Sequence, residues 1–122
     1  MADYTKNMKQ GGGPVLNAVN AANTTPTTDA DIMVDVGMYT HIDLILQESG
    51  GGTFDAKVWW YYADADVWVE DIAVGTLTVA ANSSAGAFLT SSAATSLYVE
   101  VLNFAGGADA SAWFYGRGTI GR

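Results

Sequence analysis

The chain holds a single histidine, His41, with Asp43 two residues further on. A Ser-His-Asp relay needs both residue types, because a carboxylate must orient the imidazole that takes the hydroxyl proton. Two residues apart on an extended segment, they share one face, which is an ordinary surface pairing. No nucleophile motif such as Gly-x-Ser-x-Gly accompanies them. Paired acids offer a second chemistry, at Asp29, Asp31 and Asp35, at Asp64 and Asp66, and at Glu70 and Asp71. Two carboxylates set apart across a cleft can hydrolyse a glycoside, and Asp-x-Asp in a loop can bind calcium. The full calcium loop, with its central glycine and closing glutamate, is missing. Acids in turns commonly accept hydrogen bonds from their own backbone amides. The expectation is therefore no enzyme, no metal and no cofactor.

The aromatic residues carry more information. Val58-Trp59-Trp60-Tyr61-Tyr62 is a β-type run. In a strand, Val58, Trp60 and Tyr62 point to one face, and Trp59 and Tyr61 to the other. A surface strand of a small β-domain normally alternates apolar with polar. Here both faces are aromatic, so something must cover the second one: a further layer, a ligand or another protein. Trp and Tyr are enriched in protein contacts, which makes Trp59, Tyr61, Trp68 and Trp113 the candidate interface residues. A carbohydrate-binding reading draws on the same rings together with Trp60, Tyr62 and Tyr115, since exposed rings stack on sugar faces while nearby acids bond hydroxyls.

Length and charge narrow the classes. The 122 residues bound one domain. There is no cysteine, so no disulfide framework. Lys6 and Lys9 are followed by a Gly-Gly-Gly-Pro run at 11–14 rather than an apolar stretch, so no export signal is expected. No apolar run has the length of a bilayer span. The Asn-Thr-Thr at 23–25 and Asn-Ser-Ser at 82–84 match the glycosylation pattern by chance on that reading. The formal charge is -8, and between Asp29 and Asp109 twelve acids face one base, Lys57. Phosphate binding needs clustered Lys and Arg, so neither nucleic acid nor an anionic membrane is an expected partner.

Residues 1–30 are rich in Gly, Asn, Thr and Ala, with Pro14 and Pro26 and one small apolar cluster, Val15, Leu16 and Val19. They read as a flexible N-terminal arm, with a helical turn conceivable over 17–23 and a contact role over Asp3 to Thr28. Residues 31–122 read as the folded domain. Strands are expected at 32–36, 40–47, 57–63, 67–69, 76–80, 87–90, 96–104 and 111–115, with turns at Gly50-Gly51-Gly52, 64–66, 82–85 and Gly106-Gly107. In 40–47, Ile42, Leu44 and Leu46 share one face. In 96–104, Leu97, Val99 and Val101 share one face, with Tyr98, Glu100, Leu102 and Phe104 on the other. About eight short strands with Gly- and Ser-rich turns predict an all-β, antiparallel sandwich of jelly-roll type.

The short, acidic, cysteine-free chain, with its Gly/Asn/Thr-rich start and strands such as Thr76-Leu-Thr-Val-Ala-Ala and Ser96-Leu-Tyr-Val-Glu-Val-Leu, resembles small structural proteins of tailed-phage virions. Its size is most similar to that of capsid decoration (cement) proteins. The resemblance implies a non-enzymatic virion component, made in the host cytoplasm. It also implies a homo-oligomer, a trimer being one form, that binds the major capsid protein lattice and stabilises it. The rival readings are a carbohydrate-binding module or receptor-binding fibre component, and a tail or neck structural protein.

Overall fold

The structure, a computed structural model, describes residues 14–23, 34–35, 39, 41–90 and 94–117. These form nine strands and no helix: β1 (Leu16–Val19), β2 (Val34–Asp35), β3 (His41–Glu48), β4 (Thr53–Tyr62), β5 (Val67–Glu70), β6 (Leu77–Val79), β7 (Ser84–Thr90), β8 (Ser96–Ala105) and β9 (Ala110–Arg117). All ladders are antiparallel. One sheet has the order β1-β9-β3-β7. The other runs β2-β8-β4-β5, with β6 also on β4.

That order is a rolled hairpin. β5 and β6 lie end to end along the same side of β4, pairing with residues 59–62 and 54–56 respectively. Counted as one position, they leave eight positions, in which first pairs with last, second with seventh, third with sixth and fourth with fifth. Rolling adds the contacts β3·β9 and β4·β8 and splits the ribbon into two sheets. The all-β sandwich is thus a jelly roll.

Alternation builds the core between the sheets. Ile42, Leu44 and Leu46 of β3, with Ala110, Ala112 and Phe114 of β9 and Leu89 of β7, face Phe54, Ala56, Val58 and Trp60 of β4 and Leu97, Val99 and Val101 of β8. β4 alternates as its sequence implies, buried at Val58 and Trp60 and half-buried at Trp59 and Tyr61.

Two expectations are corrected. Part of the presumed arm belongs to the body: Leu16–Val19 is a strand on β9, and no helical turn forms over 17–23. Ala18 takes a left-handed conformation (φ 52°) at the resulting irregularity, where its N–H donates to Ser111 Oγ (2.9 Å). Five residues on, Asn23 is bonded to β8. Its N–H donates to Val101 O, its side-chain oxygen accepts from Val101 N–H, and its side-chain amide donates to Val99 O. The rest of 1–30 lies outside the described residues. Secondly, Phe104 does not share a face with Tyr98, Glu100 and Leu102. A bulge at Asn103 (φ 57°) shifts the register between β4 and β8 and turns Phe104 onto Phe54, with ring centroids 5.8 Å apart.

One end of the sandwich is held by Glu48, only 1% exposed. Its carboxylate accepts four backbone N–H groups: Gly50 (2.6 Å), Gly51 (2.9 Å), Asn82 (2.8 Å) and Asp109 (3.0 Å). The β3–β4, β6–β7 and β8–β9 connections therefore meet on one side chain. They meet closely, since a Cβ on Gly52 would collide with the Ala105 carbonyl oxygen, which makes glycine obligatory there. Burial works against the charge on Glu48, but the four donors outweigh it and hold its pKa down at about 2, from 4.5.

A group with a depressed folded pKa contributes stability that is present above its unfolded pKa and lost as pH falls through the folded one. Melting temperature should therefore fall on acidification from about 4.5 to about 2, where Glu48 takes up its proton. Glu48→Gln should melt lower at neutral pH, because its amide cannot accept all four bonds, and it should lack that acid-dependent step. Thermal melts across this pH range check both outcomes.

Candidate functional site: two aromatic outer faces

The side chains of β4 that point away from the core are Thr53, Asp55, Lys57, Trp59 and Tyr61. Across the ladders, Tyr61 lies between Trp68 and Ser96, and Trp59 between Glu70 and Tyr98. The rings touch: Tyr61 and Trp68 are 4.8 Å apart, tilted, and Trp68 meets Tyr98 edge-on at 5.9 Å. The sheet thus gathers Trp59, Tyr61 and Trp68 into one platform, as the two-faced pattern requires.

Three of the rings here have their polar tips engaged. The Trp59 indole N–H donates to Glu100 Oε1 (2.8 Å), and the Tyr61 hydroxyl to Asp66 Oδ1 (2.6 Å). The Tyr98 hydroxyl donates to Asn23 O (2.7 Å). The hydrogen bond to Asp66 raises the Tyr61 pKa, helped by burial and by the Asp66 charge. Burial raises that of Tyr98, with the Glu100 charge adding to it. Further down the same face, Asp55 accepts from Thr78 Oγ1 and from the Asn103 amide, both at 2.8 Å, which ties β6, β4 and β8 together. The rings are therefore preset in orientation, with few internal rearrangements open to them.

Trp113 is not part of this platform. It lies on the outer face of the other sheet, opposite Ile45, and Tyr115 and Phe88 flank Asp43 on the same face. Phe88 is 81% exposed. The sequence reading did not single out Phe88. The signal was present, since in Ala-Phe-Leu-Thr a strand must turn either Phe88 or Leu89 outward, and Leu89 is the buried one.

The chemical candidates are scattered. His41 and Asp43 sit on the outer face of β3. Asp64 and Asp66 lie in the β4–β5 turn, Asp66 bonded to Tyr61. Asp71 accepts from Trp60 Nε1 (3.0 Å) and Val74 N–H (3.1 Å), bracing a core ring and its own loop. Asp29 and Asp31 lie outside the described residues. Among the described residues, no three of His, Cys, Asp and Glu converge on a possible metal position. A hollow of about 330 Å³ beside the β8–β9 turn is lined by Asn20, Phe104, residues 105–108 and Asp109.

No protein-family model matches this chain, and neither a curated protein nor a solved structure matches it.

The Trp59–Glu100 bond yields a measurable outcome. Trp59→Phe keeps an aromatic ring, smaller than the indole, but leaves a buried carboxylate without its donor, and should destabilise the fold by about 1–3 kcal/mol. Urea denaturation of the two proteins measures the difference.

Proposed function

We propose that this protein is a non-enzymatic structural component of a virion, a capsid decoration (cement) protein that associates with copies of itself and binds the capsid lattice. The observation that supports this most is that aromatic residues occupy both outer faces of one small sandwich: Trp59, Tyr61 and Trp68 on one, Trp113, Tyr115 and Phe88 on the other. A protein that bridges neighbours needs two contact surfaces, and aromatic anchors are what dominate such contacts. Many weak contacts repeated across a lattice add up to firm attachment. The acidic surface favours solubility and limits self-association to surfaces that bring few charges together. Jelly rolls also serve widely as capsid domains, which is an analogy of fold alone.

A second reading rests on the platform itself. Trp59, Tyr61 and Trp68 with Glu70 and Asp66 alongside could stack a sugar ring and bond its hydroxyls, as a receptor-binding fibre module would. A tail or neck position would use the same surfaces against a different neighbour.

Particles of the parent virus assembled without this protein should release their DNA at a lower temperature, and added purified protein should restore the wild-type value. The Trp68→Ala variant should restore it less well at equal concentration. Labelled protein found on tail or neck would move the reading to those structures. A tryptophan-fluorescence response to oligosaccharides, with no effect on particle stability, would replace it with sugar binding.

A further inference from the structure

The four edges of this sandwich are treated differently. β1 is four residues long and irregular at Ala18. β2 is two residues long. The β5–β6 edge is interrupted by the 71–76 connection and carries Glu70. Short length, bulges, breaks and charge are the usual means of keeping a sheet edge from pairing with another chain. β7 has none of them. It runs seven residues, Ser-Ala-Gly-Ala-Phe-Leu-Thr, without charge or proline, in unbroken register with β3. Among the described residues, no strand covers its outer side.

Glu48 N–H donates to Ser83 O (2.9 Å) across the start of the β3–β7 ladder, so 48 and 83 form a hydrogen-bonded pair. In an antiparallel ladder such pairs alternate. Residues 85, 87 and 89 therefore bond to β3, and the N–H and C=O groups of Ser84, Gly86, Phe88 and Thr90 point outward. The same four residues lie on the exposed outer face.

We propose that β7 pairs antiparallel with β7 of a second copy, about a two-fold axis at Ala87, making one continuous eight-stranded sheet. This register overlaps all seven residues. It pairs 84 with 90, 86 with 88, 88 with 86 and 90 with 84, so every outward backbone group gains a partner. It also sets each Phe88 ring over Gly86 of the other copy, on the same face. An aromatic ring laid across a strand glycine covers backbone that glycine leaves bare. The strand is thus self-complementary. Two copies each carrying -8 repel at most surfaces, and β7 is an edge where they can meet without bringing strand charges together. A two-fold contact is isologous and closes at two copies. It makes the oligomer a dimer, in place of the trimer that the resemblance implies. The inference deepens the self-association part of the proposed function and rests on that part alone.

The test uses light scattering and single-cysteine variants, which are clean because the chain has no cysteine. The wild type should run at twice the 12.8 kDa chain mass. Phe88→Lys should halve that mass while keeping the β-sheet circular dichroism spectrum. On oxidation, Ala87→Cys should form a covalent dimer, since residues at the axis face each other at about 4.5 Å between Cα atoms. Ala85→Cys, opposite 89 of the other copy, should stay monomeric in a non-reducing gel. A multimer that ignores Phe88→Lys, or cross-linking at 85 instead of 87, overturns the β7 pairing but leaves self-association standing. A wild-type monomer overturns both, and leaves lattice attachment to the particle-stability measurement.

Discussion

The fold depends on one carboxylate. Glu48 ends β3, the strand that lies between β7 and β9, and its side chain turns into the end of the sandwich. Three connections contribute backbone donors to it, from as far as 34 and 61 residues away in sequence. Those N–H groups are at the tips of tight turns, where ladder partners are unavailable. An unsatisfied buried donor is costly, so a single acceptor serving four of them fixes where each turn can sit. The direct contact of backbone at Gly52 with Ala105 leaves no room for another arrangement. Since the turns fix the strand ends, the two outer faces and their rings inherit their positions from this cluster.

Much of the architecture was legible because burial is periodic. Ile42, Leu44 and Leu46 announce an inner face, and Val58, Trp60 and Tyr62 another, while Trp59 and Tyr61 announce an outer one. What escaped was set by distant partners or by small residues. Leu-Asn-Ala-Val at β1 has one fully buried side chain, so its strand character comes from β9, not from its own pattern. Ser84 and Ala85 read as part of a turn because small residues mark loops; they extend β7 because β3 offers a partner strand. β4 also begins earlier than its aromatic run suggests, at Thr53, where Phe54 and Ala56 are buried. The bulge at Asn103 inverts Phe104, and a single positive φ is invisible to alternation. The role of Glu48 could not be read at all, since its donors are backbone groups and carry no sequence signature. Three of the four candidate rings came together; Trp113 went to the other sheet.

The aromatic platform and the edge at β7 are distinct kinds of surface. On the platform, the hydrogen-bonding atoms of Trp59 and Tyr61 are already occupied by Glu100 and Asp66, so what remains for a partner is ring area flanked by acids. At β7 the side chains offer little besides Phe88, and the backbone supplies the directional groups. On the proposed reading, copies meet by main-chain pairing at β7 and a different protein by side-chain packing on the platform, so the two contacts do not compete.

The rolled topology has a kinetic consequence. The Ala18–Ser111 bond joins residues 93 apart, and Asn23 bonds to β8 across more than 75 positions. Long-range pairings of this kind give a high contact order, and such folds form slowly, in about milliseconds to seconds. On the ribosome, β1 has no partner strand until β9 emerges, and the Glu48 cluster is incomplete until Asp109 is made. Every surface described here therefore matures late and nearly together. A nascent or half-formed chain would show the uncharged β7 segment before the core and the turn cluster had fixed its neighbours, which makes the interval before closure the one in which mispairing between chains is most costly.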